Sequence, residues 1–189
     1  ASRWSITSAL QQPWEGPMSL HSVSIPVFIQ LINSAQKMID KTLAHCAAKK
    51  IDPAALLSDR LYPDMFPLVR QFQYIADHSS GACLRLAGKD APVPPREETT
   101  FEQLKERLAK ALAIVESVSA ADVDANADKD ITFPMGPRQI TMRGREYMLH
   151  FAMPNFYFHT TTAYNILRHN GVEVGKRDFL GVMPGFPTA

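Results

Sequence analysis

The spacing of apolar residues along the chain predicts four long amphipathic helices. In each of them apolar or small side chains recur at steps of three and four residues, which places them on one helical face. Proline- and glycine-rich segments separate the first three. The predicted helices run from about residue 24 to 49, 64 to 87, 100 to 118 and 145 to 170. This pattern predicts an all-α protein built on a four-helix bundle.

Local signals suggest where these helices begin and bend. Ser24 is positioned to cap the first helix, with Pro26 in its opening turn, where an N–H is not needed. Asp52-Pro53 can open a short helical turn in the first linker. Thr100 and Gln103 have the spacing of a capping box. Pro154 lies inside the fourth predicted helix, so we expect a kink there.

A short alternating pattern predicts a small β-hairpin between the third and fourth helices. Residues 131–133 and 140–142 alternate apolar and polar side chains on either side of a turn segment. Because a lone hairpin is only marginally stable, we expect it to pack against the bundle. Residues 172–189 predict an extended tail. The resulting division is a peripheral extension at 1–17, a bundle domain at 18–181 and a C-terminal tail at 182–189.

The composition excludes some classes of function but does not identify one. The 189 residues suit a single domain, and 20 basic against 19 acidic side chains give no electrostatic footprint for nucleic acid. No apolar run approaches the ~20 residues that cross a bilayer, and the N-terminal residues lack the pattern of a secretory signal. Cys46 and Cys83 are too few for a disulfide framework. We therefore expect a cytoplasmic protein with two buried, unreactive thiols and neither nucleic-acid nor membrane partners.

A polar stripe on the fourth predicted helix is the most informative chemical feature. Its members are spaced by four, three, four and three residues: Asn155, His159, Thr162, Ile166 and His169. If this side faces the bundle interior, its polar atoms need partners, since an unpaired buried group costs about 1–3 kcal/mol. We therefore predict a partly polar ligand pocket around Asn155, His159 and Thr162, with Tyr62 near its mouth.

Metal binding is the alternative interpretation of the same stripe. His78 lies in the middle of the second predicted helix, and imidazoles from facing helices can hold a metal in a bundle core. However, the chain contains no HxxxH or ExxH pair, and Asn155 offers a neutral amide four residues before His159. We expect a hydrogen-bonded core His159 and no tightly held metal. Zinc or nickel at His78 and His159 stays open as the alternative.

Aromatic residues crowd the fourth predicted helix and indicate a core or a dimer face. Phe151, Phe156, Tyr157 and Phe158 point in several directions around a helix, so some should meet a partner surface. A homodimer is expected on this ground. The chain has neither a GxSxG elbow nor a glycine-rich phosphate loop, so no catalytic residue is assigned.

Two long motifs resemble a bacterial and fungal family known as a domain of unknown function. They are PNFYFH, continuing through TTAYNILRHNGV, at 154–172 and GKRDFLG at 175–181, and the linker segments KIDP at 50–53 and LYPDMFP at 61–67 are also similar. That family belongs to the DinB/YfiT-like superfamily of four-helix bundles, and the resemblance spans roughly residues 18–181. It implies a DinB-like bundle.

The superfamily is regarded as a group of metalloenzymes, including thiol-dependent transferases and isomerases. Its three histidines come one from the second helix and two, as HxxxH, from the fourth. In this sequence the matching positions are His78, Asn155 and His159. Asn155 departs from the pattern, and two imidazoles with an amide would hold a divalent metal poorly.

Three hypotheses about function follow from these observations. The first is a bundle that binds a small molecule or serves as a structural module, without a tightly held metal. The second is a metal-dependent enzyme, such as a thiol-dependent transferase, that uses His78 and His159. The third is a protein-interaction module that docks a partner through its aromatic fourth helix. No motif identifies a substrate.

Overall fold

The computed structural model describes residues 18–183, so the predicted extension at 1–17 and most of the tail at 182–189 lie outside the described residues. Helices dominate the described chain, and two short strands interrupt them. The elements in chain order are α1 (Leu20–Lys49), α2 (Pro53–Ser58), α3 (Leu68–Leu86), α4 (Phe101–Ser117), α5 (Ala120–Ala125), β1 (Asp130–Met135), β2 (Arg138–Arg143), α6 (Gly144–Glu146), a π-helical segment (Tyr147–Ala152), α7 (Met153–His169) and α8 (Lys176–Leu180).

The helices α1, α3, α4 and α7 form the predicted four-helix bundle. Helix α3 packs against both α4 and α7, and α1 closes the bundle on the other side. Each of the four helices contributes one fully buried phenylalanine ring to the core: Phe28, Phe72, Phe101 and Phe156. The rings of Phe28 and Phe156 meet edge to face with centroids 4.8 Å apart, joining α1 to α7. Within residues 18–183 no helix combines the length and apolarity that a bilayer crossing requires.

Helix α1 begins earlier than the sequence pattern predicts. Ser19 and Ser22 form a reciprocal capping box, in which Ser19 Oγ accepts from the Ser22 N–H and Ser22 Oγ accepts from the Ser19 N–H. The prediction that Ser24 caps this helix was wrong. The helix already begins at Leu20, and the capping box of Ser19 and Ser22 supplies the hydrogen-bond partners of its first turn. Ser24 instead donates its hydroxyl to the Leu20 carbonyl, and Pro26 lies inside the helix rather than in its first turn.

Helix α3 begins later than predicted, at Leu68 instead of residue 64. Pro67 is its N-cap, and a proline disfavours α-helical backbone in the residue before it, here Phe66. The preceding chain forms a turn in which the Met65 N–H donates to the Tyr62 carbonyl. The short helix predicted after Asp52 is present as α2, and the Asp52 side chain caps it.

The hairpin predicted between the third and fourth long helices is present as β1 and β2. The two strands pair antiparallel, and Ile131 and Phe133 are the buried positions of β1. The second strand leads directly into α6 through Gly144, whose N–H donates to the Lys129 carbonyl. A side chain at Gly144 would overlap the carbonyl oxygen of Asn126, so only glycine fits at this crossing. Helix α5 was not predicted from the polar segment that precedes the hairpin.

The irregularity expected at Pro154 takes the form of a π-helical segment. Proline has no N–H to donate to the carbonyl four residues earlier, so the ordinary helical pairing cannot run through this point. The wider hydrogen-bond register of residues Tyr147–Ala152 precedes α7, where Pro154 occupies the first turn. The fourth predicted helix is therefore composed of α6, the π-helical segment and α7.

The segment after α7 is not wholly extended, as the sequence suggested, but contains α8. This short helix lies against α1. Asp178 forms an ion pair of 2.7 Å with Lys41, and the Leu180 carbonyl accepts a hydrogen bond from Gln30 Nε2 at 2.7 Å. Long-range contacts with α1 thus fold a segment whose composition alone favours a loop.

Candidate functional site

Helices α3 and α7 run antiparallel and bring two histidines into contact. The ring centroids of His78 and His159 lie 5.4 Å apart, with ring planes inclined by 13°. Gln71, Tyr74 and His78 are spaced by three and four residues along α3, so all three face α7. We refer to Gln71, Tyr74, His78 and His159 as the aromatic–imidazole cluster.

The hydrogen bonds of Gln71 determine the tautomer of His159. The Gln71 Nε2 donates to the Phe66 carbonyl at 2.8 Å, so its Oε1 is the atom that faces His159 Nδ1 at 2.7 Å. An amide oxygen only accepts, and therefore Nδ1 of His159 carries the proton. The Nε2 atom of the same ring carries the lone pair, and no residue in the described part of the chain donates a hydrogen bond to it.

Tyr74 links the two histidines into one group of nearly parallel rings. Its ring lies 4.6 Å from His159 at 16° and 5.7 Å from His78 at 26°. The guanidinium carbon of Arg96 lies 4.7 Å from the centre of the Tyr74 ring, a cation–π geometry. Phe66 packs on Tyr74 with centroids 5.4 Å apart. These contacts hold the cluster between the start of α3 and the loop before α4.

Both imidazoles are held neutral at physiological pH. Burial lowers the pKa of His78 to about 4. Burial also lowers the pKa of His159 to about 3, and the charge that His78 would carry opposes protonation further. A neutral imidazole offers one donor and one acceptor, so the cluster presents hydrogen-bonding groups rather than charge.

The free nitrogen of His159 is not sealed away from solvent. His159 is only 6% exposed. The side-chain polar atoms of residues 18–183 that are fully buried and lack a hydrogen-bond partner are Ser34 Oγ, Gln73 Oε1 and Arg107 Nε. Nε2 of His159 is not among them, so it retains some contact with solvent. Two rings at the edge of the cluster are about half exposed: Phe66 at 50% and Phe158 at 54%. Phe158 meets the His159 ring edge to face at 5.2 Å. The acceptor therefore belongs to a ring that lies beside half-exposed aromatic side chains.

The polar stripe predicted on the fourth helix only partly faces the interior. His159 and Thr162 are buried, whereas Asn155 is half-buried and donates its amide to the Phe151 carbonyl of the preceding π-helical segment at 2.7 Å. His169, at the end of α7, is exposed. At about 100° per residue all five positions stay within about 40° of Asn155, so angular drift does not explain the difference. Asn155 and His169 instead lie near the two ends of α7.

Tyr62, predicted near the mouth of the pocket, is 66% exposed. The aromatic contacts of the described residues do not include it. Phe66, four residues later, packs on Tyr74 at the edge of the cluster.

The donor set does not match a three-histidine metal centre. Residues 18–183 contain no group of three His, Cys, Asp or Glu side chains placed to hold one ion. The lone pair of an imidazole lies in its ring plane, so two nearly parallel rings reach one ion only if they are coplanar. Asn155, the third position that the family resemblance points to, donates its Nδ2 to the Phe151 carbonyl and offers a metal only a neutral amide oxygen. These residues do not fit a tightly held divalent metal.

A buried ionic network supports the cluster from the side of α4. Arg107 is 7% exposed and donates to Asp77 at 2.6 Å and to Glu98 at 2.7 Å. Arg96 pairs with the second oxygen of Asp77 at 2.9 Å. Burial by itself would raise the pKa of Glu98, but the hydrogen bonds and charge of Arg107 outweigh it and hold that pKa below its ordinary value. The network fixes Arg96, and with it the face of Tyr74.

Sequence reasoning missed Gln71, Tyr74 and the ionic network. A signal for the first two was present, because positions 71, 74 and 78 repeat on α3 the spacing that marked the stripe on α7. The pairing of Asp77 with Arg107 joins residues thirty positions apart and has no local signature.

A family model matches most of the chain, and a comparison with solved structures supports this fold. The sequence model of a domain of unknown function, DUF1993, matches residues 20–180. A crystal structure of a DinB family member protein from Shewanella denitrificans superimposes with a TM-score of 0.81 at 40% sequence identity, covering 89% of this chain and 96% of that one. A comparison with curated proteins found no match.

Proposed function

Because this chain belongs to the DUF1993 family, a domain family of unknown function with a DinB-like fold, we propose a function from its own side chains. The bundle binds a small, flat molecule at the aromatic–imidazole cluster, without a tightly held metal. The observation that carries this proposal is the Nε2 of His159, which has no hydrogen-bond partner within residues 18–183. It is a neutral acceptor on a ring that lies beside half-exposed aromatic side chains.

The chemistry of the cluster limits what such a ligand would be. Phe66 and Phe158 offer half-exposed ring faces, which favour a planar apolar body. The lone pair on His159 favours a ligand with one N–H or O–H donor. A ligand that leaves this acceptor unpaired forfeits roughly 1–3 kcal/mol, so the donor should matter for affinity. Neutral heteroaromatic molecules with one ring N–H meet both requirements.

Two ligands of nearly the same shape test this proposal. Indole carries the ring N–H, whereas N-methylindole replaces it with a methyl group. Titrations followed by NMR chemical shifts should give an affinity for indole roughly tenfold higher, corresponding to about 1.4 kcal/mol. Phe158→Ala should weaken both ligands, because the Phe158 ring contacts His159. Tyr157→Ala should leave them unchanged, because the Tyr157 ring packs on Phe156. Equal binding of the two ligands, or shifts that avoid α3 and α7, would refute the proposal.

The metal-dependent enzyme, such as a thiol-dependent transferase, remains the alternative from the family resemblance. It would rest on His78 and His159 as imidazole ligands with a third group supplied by water or substrate. Elemental analysis of the purified protein separates the two functions. Stoichiometric zinc or nickel that disappears in His159→Ala would favour the enzyme and contradict the metal-free binding site.

The exposed rings of the fourth helix favour a further candidate, an interaction surface. Tyr157 and Phe158 are adjacent, and both leave a substantial part of their rings in solvent. Exposed aromatic side chains are enriched where proteins meet. Our proposal for this surface is a second copy of the chain, consistent with the expected homodimer. The oligomeric state in solution tests it.

A further inference from the structure

A cleft lies between the end of α3 and the start of the hairpin, and none of its lining residues belongs to the aromatic–imidazole cluster. Its volume is about 220 Å³. Three basic side chains line it, Arg85, Lys89 and Lys129, against one acidic side chain, Asp130. We call this space the basic cleft. Its excess of positive charge is notable in a chain whose net charge is only +1.

Arg85 is held in place on the wall of the basic cleft. Its Nη1 donates to the Tyr147 hydroxyl at 3.1 Å, and its Nη2 lies 3.4 Å from the Ala91 carbonyl. Gly81 leaves the room that the guanidinium occupies, since a Cβ there would lie 2.8 Å from Arg85 Nη1. Within residues 18–183 the hydrogen-bond partners of this half-buried guanidinium are neutral, so they do not compensate its charge.

The other charges of the basic cleft leave that positive charge unbalanced. Among the ion pairs of residues 18–183, each with N···O within 4.0 Å, none involves Arg85, Lys89 or Lys129. Asp130 is directed to another partner, because its carboxylate lies 3.6 Å from Nε of Arg143. Three cations thus line the cleft against one carboxylate, and none of the three forms an ion pair within the described part of the chain.

We propose that the basic cleft binds a small dianion, of which a phosphate group is the simplest example. Arg85 supplies a fixed, planar fork of N–H donors, the geometry that matches phosphate oxygens. Lys89 and Lys129 supply mobile point charges from two sides. The cleft has room for a small anion, and the balanced charge of the whole chain does not favour a polyanion. This site is independent of the ligand proposed for the aromatic–imidazole cluster.

Titration with inorganic phosphate tests the site, with acetate as the monoanion control. NMR shifts of Lys89, Asn126 and Lys129 amides should saturate with phosphate at concentrations below about 20 mM and respond much less to acetate. The variants Lys89→Gln and Lys129→Gln change exposed side chains, so the fold should survive them. Each should weaken phosphate binding roughly fivefold or more. Arg85→Gln should weaken it further, whereas Arg85→Lys should retain part of it.

The matched control removes one positive charge from the far end of the bundle. Arg168, near the end of α7, is exposed and lies about 21 helical positions after Tyr147, roughly 30 Å away at 1.5 Å per residue. Arg168→Gln should leave phosphate affinity unchanged. The site would be overturned by shifts that do not saturate, by equal weakening in the Arg168 and Lys129 variants, or by acetate binding as tightly as phosphate. Raised ionic strength should weaken true binding, because the attraction is electrostatic.

Discussion

Gln71 Oε1 lies 2.7 Å from His159 Nδ1, across the seam between α3 and α7. Because the Gln71 amide nitrogen is already committed to the Phe66 carbonyl, this contact assigns the proton of His159 to Nδ1. One glutamine therefore decides which nitrogen of the histidine is available to a ligand. The same contact couples the start of α3 to the middle of α7.

Replacing Gln71 by leucine should lower the free energy of unfolding and allow His159 to adopt both neutral tautomers. Nδ1 of His159 would lose its acceptor in a buried environment, which costs about 1–3 kcal/mol of unfolding free energy. Urea unfolding measures that loss, and ¹⁵N spectra of the imidazole should show a mixture of tautomers instead of one. Asn165→Ala, an exposed amide on α7, is the control and should change stability by less than about 0.5 kcal/mol. A single unchanged tautomer in Gln71→Leu would contradict the assignment.

Stability should fall as the pH is lowered from about 6.5 to about 5. His78 and His159 have pKa values of about 4 and about 3 in the folded chain, below the ordinary value of 6.5. In this window the unfolded chain binds protons that the folded chain does not, so acid favours unfolding. The loss should reach about 2 kcal/mol for each histidine between pH 6.5 and pH 5. Urea unfolding at several pH values measures it.

The control for this pH dependence is His150→Gln, which changes an exposed histidine. His159→Gln should reduce the pH dependence between pH 6.5 and pH 5 by about half, because His78 still contributes, whereas His150→Gln should leave it as it is. Glu98 also has a lowered pKa, but its contribution is lost at more acidic pH, around its ordinary value and below. A wild-type unfolding free energy that stays constant over the window would show that neither histidine is held neutral.

Breaking the buried ionic network should be far more harmful than breaking a surface pair. Asp77→Ala leaves Arg107 and Arg96 without their shared carboxylate, and loss of one partner in a buried pair costs about 3–5 kcal/mol. Asp40→Ala removes the partner of Lys105 in an exposed pair and should cost less than about 1 kcal/mol. Denaturant unfolding of the two variants should show this contrast. Similar losses in both would mean that the network does not support the fold.

Gly144→Ala should be among the most damaging small substitutions in the chain. The added methyl group would overlap the Asn126 carbonyl and crowd Leu86, so the junction between hairpin and bundle must open. We expect a loss of roughly 2 kcal/mol or more, measured by thermal unfolding. Gly175→Ala is the matched control, since its methyl group would meet only Asp178 Oδ2 at an ordinary 4.0 Å. Equal melting temperatures for the two variants would contradict the close approach at Gly144.

A homodimer that uses the exposed aromatic surface should dissociate when a charge is placed in it. Light scattering should give twice the chain mass for the wild type and the single chain mass for Phe158→Asp, because burying an unpaired carboxylate is strongly unfavourable. Ala113→Asp, an exposed change on α4, is the control and should remain dimeric if the surface is confined to the rings of α7. A wild-type protein that stays monomeric at high concentration would contradict the proposed homodimer.

The fold could be predicted from the sequence because its signals are local. The steps of three and four in apolar residues, the capping box at Thr100 and the alternation around the hairpin each act within a few residues. The errors occurred where a neighbouring residue or a distant contact overrode those signals. Ser19 capped α1 ahead of Ser24, and contacts with α1 folded residues 176–180 into a helix.

The chain itself determined that His159 would lie on the inward side of a long helix and that Asn155 would stand in place of a second imidazole. Only the tertiary structure decided that Gln71 holds the proton of His159, that Tyr74 joins the two histidines, and that Arg107 neutralises Asp77 from another helix. The physical reason is the range of the interactions. Helical periodicity is imposed by the backbone turn by turn, whereas hydrogen bonds and ion pairs between helices depend on the relative position of elements that packing alone establishes.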